Sequence, residues 1–223
     1  MLHRKTILLL LLLLAPSVGF THKERAPLPP GSTKWVILKG SGLRVDGSTN
    51  INRFSCEIAD YCSPDTIVVS HEHPAGGSGG IGGNGGTGGG GGGQVALSGI
   101  VRLDVSGFDC HNSIMTAEFR KTVKAVTFPK LTIHFISLSH LPDPRLSRDI
   151  LKGQVSIELA GITKEMDINY TACNLAVGQL SLTGTRQMKF SDFGLTPPRK
   201  LGGMIRTNDI VDIEFHLHII AIN

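Results

Sequence analysis

The sequence has little charge of either sign and few long apolar runs. Charged residues make up 18% of its 223 residues, and the formal net charge is +4, which falls to +2 without Arg4 and Lys5. That balance is too small to favour a nucleic-acid partner. The one prominent apolar run, residues 7–14, is shorter than the roughly 20 residues that span a bilayer. We therefore expect no stable membrane insertion.

The N-terminus has the features of an export signal. Arg4 and Lys5 precede the apolar run, and small residues follow it. This order is typical of a secretory signal peptide, which we place at residues 1–19. The sequence therefore predicts a periplasmic or secreted protein.

The rest of the chain is long enough for one domain with a sizeable core. We assign residues 20–32 to a flexible N-terminal segment and residues 33–223 to a single domain. A glycine-rich tract interrupts this domain, because residues 76–93 hold 14 of the 28 glycines. Such a tract buries too little apolar surface to offset its ordering entropy, so residues 71–94 are predicted to form a loop insertion without fixed structure.

Four cysteines are present, at Cys56, Cys62, Cys110 and Cys173. An even number in an exported protein favours disulfides, and three pairings are open. Free buried thiols are the alternative. No C-x2-C pair is present, which disfavours a zinc site. We expect neither a metal nor a required cofactor.

Most of the chain alternates apolar and polar residues, a period that predicts strands with one apolar face. This period-2 pattern covers eight segments, near residues 35–38, 53–58, 95–105, 130–135, 154–159, 165–170, 180–190 and 211–219. Residues 112–126 instead repeat at helical spacing, with Asn112 or Ser113 as the cap. The fold class is therefore all-β, with about eight antiparallel strands and one short helix. A barrel of that size holds either packed side chains or one small ligand.

Four segments, in this order, resemble the YceI-like family of periplasmic lipid-binding proteins. They are residues 99–119, 128–135, 153–166 and the KFSDFGL corner at 189–195. The resemblance implies an extended, lipocalin-like barrel that binds a polyisoprenoid, an isoprenoid quinone or a fatty-acid-like amphiphile in its bore. It implies no catalytic residue and no metal. The family often has arginine before the S-D-F-G corner, where this chain has Phe190.

These observations together predict binding, storage or transport of a long apolar ligand inside the barrel, driven by apolar burial. Arg186 shares the parity of the inward residues and is a candidate partner for a head group; a bulge that turns it outward is the alternative. A barrel with a filled core and no ligand is the competing hypothesis, and a homodimer is left open. The predicted ligand-binding residues are Phe54, Ile58, Leu97, Val101, Phe119, Leu131, Ile133, Phe135, Ile157, Ile168, Leu182, Arg186, Phe190, Ile213 and Phe215.

No pattern in the chain indicates an enzyme. The G-x-S-x-G elbow of serine hydrolases is absent. His216 and His218 project from one strand face, and a cross-strand residue such as His134 would complete a metal site. We interpret these histidines, and His71 and His73 at the base of the glycine tract, as solvated surface residues.

Overall fold

The computed structural model describes residues 31–61, 63, 65–70 and 94–222. The predicted signal peptide, Cys62 and the glycine tract lie outside these residues. The described strands form one antiparallel sheet. They are β1 (Ser32–Ile37), β2 (Ser41–Thr49), β3 (Arg53–Tyr61), β4 (Thr66–Ser70), β5 (Val95–Asp104), β6 (Lys130–Leu138), β7 (Asp149–Leu159), β8 (Ile162–Ala176), β9 (Gln179–Lys189), β10 (Arg199–Lys200) and β11 (Ile205–Ile222).

Eight of these strands close into a ring. Their order is β1-β4-β5-β6-β7-β8-β9-β11, and β11 pairs with β1 to complete the circle. Several connections join strands adjacent in both sequence and space, as in the β7–β8 hairpin that runs to Leu159↔Ile162, so short turns suffice. The prediction of an all-β antiparallel barrel of about eight strands is confirmed. The strands β2, β4 and β10 are additions that the period-2 pattern does not predict.

The long strand β11 has two partners along one edge. Its C-terminal part pairs with β1 from Ile219↔Ile37 onward, and its N-terminal part pairs with β2 up to His216↔Gly42. The hairpin β2–β3 therefore extends the wall at one end only. Because β3 pairs with β2 on one side, a seam remains between β3 and the segment that follows β5.

A disulfide and a short bridge close this seam. Glu57 and Asp109 exchange two backbone hydrogen bonds of 2.8 Å, and a disulfide joins the adjacent Cys56 and Cys110. This resolves one of the pairings that the sequence leaves open. Cys173 is a free cysteine among the described residues. Its predicted disulfide is therefore not formed with any cysteine that the structure describes.

Helix α1 (Ser113–Thr122) follows the seam. Asn112 caps it, because its side-chain oxygen accepts hydrogen bonds from the backbone amides of Ile114 and Met115 at 3.0 Å, as predicted. The predicted end at residue 126 is wrong. Lys124 has a φ of 55°, a left-handed conformation that stops the helix, and Val126 lies exposed beyond it. No helix in the described ranges is long and apolar enough to cross a membrane.

Aromatic rings cross the middle of the barrel. Phe215 contacts Tyr170 and Phe135, with ring centroids 5.6 and 6.1 Å apart. Two strand glycines make room for these rings: a Cβ at Gly184 would lie 2.2 Å from the Phe215 ring, and one at Gly153 would lie 2.7 Å from the Tyr170 ring. We call this set the aromatic layer. It divides the interior into a helix end, beside α1, and a packed end, beside β1 and β4.

Candidate functional site

The helix end of the barrel contains a cavity of about 60 Å³. It lies between the inner wall, α1 and the 3₁₀ turn Phe190–Phe193. The lining is apolar except for Arg186 and Lys189. The lining residues are Leu43, Val45, Phe108, Phe119, Val123, Leu131, Ile133, Ile157, Leu159, Ile168, Arg186, Met188, Lys189, Phe190, Phe193, Leu195, Val211, Ile213 and Phe215.

Aromatic contacts close the cavity beneath α1. The ring of Phe119 meets those of Phe108 and Phe190 edge-on, with centroids 5.0 and 6.5 Å apart. Within α1 only Thr116 and Phe119 are buried. The Thr116 hydroxyl donates to Asp109 at 3.1 Å and accepts from the Cys110 amide at 2.9 Å. The start of the helix is thus fixed to the disulfide seam, while Phe119 is its main contact with the interior.

The turn Phe190–Phe193 forms the opposite cover of the cavity. Asp192 accepts a hydrogen bond from the Lys189 amide at 2.9 Å. The Asp209 carboxylate accepts hydrogen bonds from the amide and hydroxyl of Ser191. These bonds, with the nearby Lys189, hold the pKa of Asp209 below its ordinary value. Gly194 then ends the turn with a φ of 59°. The polar residues of the S-D-F-G corner therefore fix the turn that places Phe190 and Phe193 over the cavity.

Two cations lie at the edge of the apolar lining. Arg186 stands opposite Ile213, and the pairing of β9 with β11 is continuous around it. The bulge that would turn Arg186 away from the interior is therefore absent. Arg186 is exposed and forms no ion pair within the described part of the chain. Lys189, three residues further along β9, also contributes to the lining, although almost all of the lining surface is apolar.

Nine of the fifteen predicted ligand-binding residues line this cavity. Phe54 does not, because it lies half-buried over Gly47, where a Cβ would come within 2.3 Å of its ring. The other five are buried in the core outside the lining. Those at the cavity are Phe119, Leu131, Ile133, Ile157, Ile168, Arg186, Phe190, Ile213 and Phe215; those elsewhere in the core are Ile58, Leu97, Val101, Phe135 and Leu182.

Sequence reasoning missed ten lining residues. Leu159, Met188 and Val211 share the parity of predicted inward residues, so the alternation pattern contains the signal for them. Leu43 and Val45 lie on β2, whose pattern is too short and too rich in glycine to predict a strand. Lys189 is the last residue of the wall strand β9. The remainder lie on the cover of the cavity: Phe108, Val123, Phe193 and Leu195.

The aromatic layer contributes one buried polar group just beyond the cavity. The Tyr170 hydroxyl is buried and has no hydrogen-bond partner among the described residues. Burial raises the pKa of this tyrosine above its ordinary value. A buried hydroxyl without a partner carries a desolvation cost of about 1–3 kcal/mol. The lining of the cavity itself is almost wholly apolar, so it offers few partners to a polar group of a ligand.

The structure excludes the three-histidine site. His134 lies on β6, and β7, β8 and β9 separate that strand from β11, which carries His216 and His218. Within the described ranges, no group of three or more histidine, cysteine, aspartate or glutamate side chains is arranged to hold a metal ion. The alternative in which His134 completes a metal site with this pair is excluded, because three strands of the barrel wall separate it from them.

A closed antiparallel barrel, capped at one end and apolar within, defines a class that solved structures share. A polyisoprenoid-binding domain from Saccharophagus degradans, implicated in plant cell wall breakdown, superimposes with a TM-score of 0.53 at 12% identity, covering 84% of this chain and 98% of that chain. BcnA of Burkholderia cenocepacia superimposes with a TM-score of 0.50 at 15% identity, covering 80% of this chain and 95% of its own.

These likenesses establish a shared fold that spans most of each chain. The predicted extended antiparallel barrel is therefore confirmed at the level of the fold. No family model and no curated protein matches the sequence.

Proposed function

We propose that this protein binds the apolar chain of a lipid-like amphiphile at the helix end of the barrel, and that it does so in the periplasm or outside the cell without catalysing a reaction. One observation supports this above all: an apolar cavity lies inside a closed barrel, with Arg186 and Lys189 at its edge. Apolar burial at about 25 cal/mol per Å² would bind the chain. The two cations would bind an anionic or oxygen-rich head group.

The polyisoprenoid-binding domain of the same fold supports a long isoprenoid chain as the ligand class. The predicted signal peptide and the Cys56–Cys110 disulfide support the location, because disulfides persist in oxidising compartments. Binding of this kind needs no cofactor.

The size of the cavity determines how binding must occur. At about 60 Å³ it is smaller than the ~150 Å³ apolar cavity that admits benzene. A chain therefore enters only when part of the cover moves. Helix α1 is the part best placed to move, since Phe119 is its main contact with the interior while the disulfide holds its start. The ligand would shift the population toward the open state by as much as its affinity for the open state exceeds its affinity for the closed state.

The same small volume favours a second candidate, a barrel whose core is filled and which acts through its surface. The two proposals differ in what the purified protein carries. Native mass spectrometry after gentle purification would detect a bound lipid mass under the first proposal. A protein of bare mass that also fails to take up a fluorescent fatty acid or a polyprenol would support the second.

A matched pair of substitutions on β11 tests the location of the ligand. Ile213 lines the cavity, whereas Ile210 is 46% exposed on the outer face. We expect Ile213→Trp to fill the space and weaken fatty-acid binding at least tenfold, and Ile210→Trp to leave it unchanged. Equal binding by both folded variants would place the ligand outside the barrel.

A further inference from the structure

A pair of histidines on the outer face of β11 is independent of the cavity. His216 and His218 are two residues apart on the strand, so both side chains project outward. Their Nε2 atoms lie 3.1 Å apart, and their ring centroids are separated by 4.5 Å. The Nε2 atoms of the two imidazoles thus lie close together on the outer face of the barrel.

Neighbouring strands fix one ring and leave room beside the other. On β9, the Thr183 hydroxyl lies 3.0 Å from Nδ1 of His216, and the Ser181 hydroxyl lies 3.5 Å from its Nε2. On the other side, Gly42 pairs with His216, and a Cβ at Gly40 would come only within 3.6 Å of the His218 ring. Small hydroxyl groups and glycines therefore surround the pair.

Charged side chains also lie near the pair. Partial burial, followed by the proximity of His218, lowers the pKa of His216, and the nearby Glu214 opposes that effect. Glu214 is itself bound by Arg44 at 3.2 Å.

We propose that His216 and His218 bind one divalent first-row transition metal ion, with water molecules in the remaining positions. Two imidazole nitrogens at 2.0–2.1 Å from one ion lie about 3.3 Å apart in a tetrahedral site and about 2.9 Å apart at a right angle. The observed 3.1 Å falls between these values. When Nδ1 of His216 donates to Thr183, that ring presents Nε2 as the ligand, the arrangement usual for metal-bound histidine. Imidazole ligands suit Cu²⁺, Ni²⁺ and Zn²⁺, and Cu²⁺ binds most tightly of the three.

Calorimetric titration of the mature chain with Ni²⁺, together with electron paramagnetic resonance of the Cu²⁺ form, tests this site. We expect one ion per chain and a Cu²⁺ spectrum with nitrogen ligands. His216→Asn and His218→Asn should each weaken Ni²⁺ binding at least tenfold. His134→Asn, on β6, is the matched control and should bind as the unchanged protein does.

Two results would overturn the proposal. One is the absence of saturable Ni²⁺ binding by the unchanged protein at millimolar concentration. The other is wild-type binding by a folded His216→Asn/His218→Asn double variant, which would place the ion elsewhere, for example at His71 and His73. If His216→Asn does not fold, His218→Asn decides the test, because no side chain of β9 hydrogen-bonds to His218 among the described contacts. Lipid binding is measured separately, so failure here leaves the proposed function unaffected.

Discussion

At the packed end of the barrel the interior side chains fill the space, whereas at the helix end similar aliphatic side chains face a cavity of about 60 Å³. Leu138 and Leu182 are fully buried and Ile219 is 1% exposed at the packed end. Leu131 and Ile133, beyond the aromatic layer on the same wall, are buried to a similar degree yet line the cavity. The wall is the same sheet in both cases, so wall composition alone does not determine where space remains.

The two ends differ in how they are closed. The strands β1 and β4 complete the ring at the packed end through continuous pairing. The helix end is completed by the hairpin β2–β3, one disulfide, α1 and a 3₁₀ turn. Backbone ladders draw strands to a fixed spacing, but a helix and a turn meet the interior only through a few side chains. The difference indicates that space for a ligand remains at the end that a helix and a turn close. It does not remain at the end that paired strands close.

Core truncation at the two ends should produce the largest contrast. Leu182→Ala removes a fully buried side chain from the packed end and should lower the free energy of unfolding by about 4–5 kcal/mol. Leu131→Ala enlarges an existing cavity and should cost about 2–3 kcal/mol, while admitting a larger ligand. Urea unfolding of both variants measures the difference. Equal losses would mean that the two ends are packed alike.

Removal of the disulfide should weaken the helix end selectively. The Cys56–Cys110 bond spans 54 residues of sequence, and closing a loop of that length stabilises the native state by about 4 kcal/mol in the chain-entropy account. We expect a Cys56→Ser/Cys110→Ser variant to lose a similar amount in chemical denaturation. Hydrogen exchange should accelerate first in α1 and β3. Uniform acceleration around the whole ring would contradict the distinction between the ends.

Most of the barrel wall could be predicted from sequence, because it depends on local patterns. Alternation places Leu131 and Ile213 on the inner face, and the side-chain chemistry of Asn112 sets the start of α1. The strand β4, TIVVS, contains a continuous apolar run of only three residues, 67–69, that period 2 does not identify. The strand β2 has only Leu43 and Val45 as inward apolar residues, between two glycines.

The cover of the cavity could not be predicted, because its contacts join segments distant in sequence. Phe108, Phe119 and Phe190 meet only when the seam and the S-D-F-G corner come together. The choice of Cys110 as the partner of Cys56 likewise depends on the Glu57–Asp109 bridge, a tertiary contact. The aromatic layer has the same origin: Gly153 and Gly184 leave room for rings that strands β8 and β11 supply.

The boundary between the two ends contains a group whose removal should stabilise the protein. Tyr170→Phe deletes the buried hydroxyl that lacks a partner and keeps the ring against Phe215. We expect a gain of about 1 kcal/mol in the free energy of unfolding, because the desolvation cost of the hydroxyl disappears. Phe135→Leu, which removes one ring from the aromatic layer, serves as the destabilising control. A loss of stability in Tyr170→Phe would show that the hydroxyl binds a group within the barrel.

The smallest expected effect is the loss of stability at low pH in the loop at residues 139–148, which closes the packed end. Asp149 is buried and accepts a hydrogen bond from the Asp143 amide at 3.0 Å, with His140 at 3.2 Å. These contacts, the Asp143 amide first, lower the pKa of Asp149. A carboxyl whose pKa is lower in the folded state stabilises that state above its unfolded pKa, about 3.9, and the contribution is lost as pH falls through the folded value.

Asp149→Asn should therefore cost about 1 kcal/mol at pH 7, and the gap from the unchanged protein should shrink toward pH 2. Urea unfolding at pH 7, 4 and 2 measures that gap. Asp209→Asn provides the counterpart at the helix end, since the pKa of Asp209 is lowered by Ser191. Hydrogen exchange at acid pH should then report opening of residues 139–148 at the packed end and of the turn 190–193 at the helix end. If the difference in free energy of unfolding between Asp149→Asn and the unchanged protein persists at pH 2, the contact stabilises the loop through its shape and not through the charge of the carboxylate.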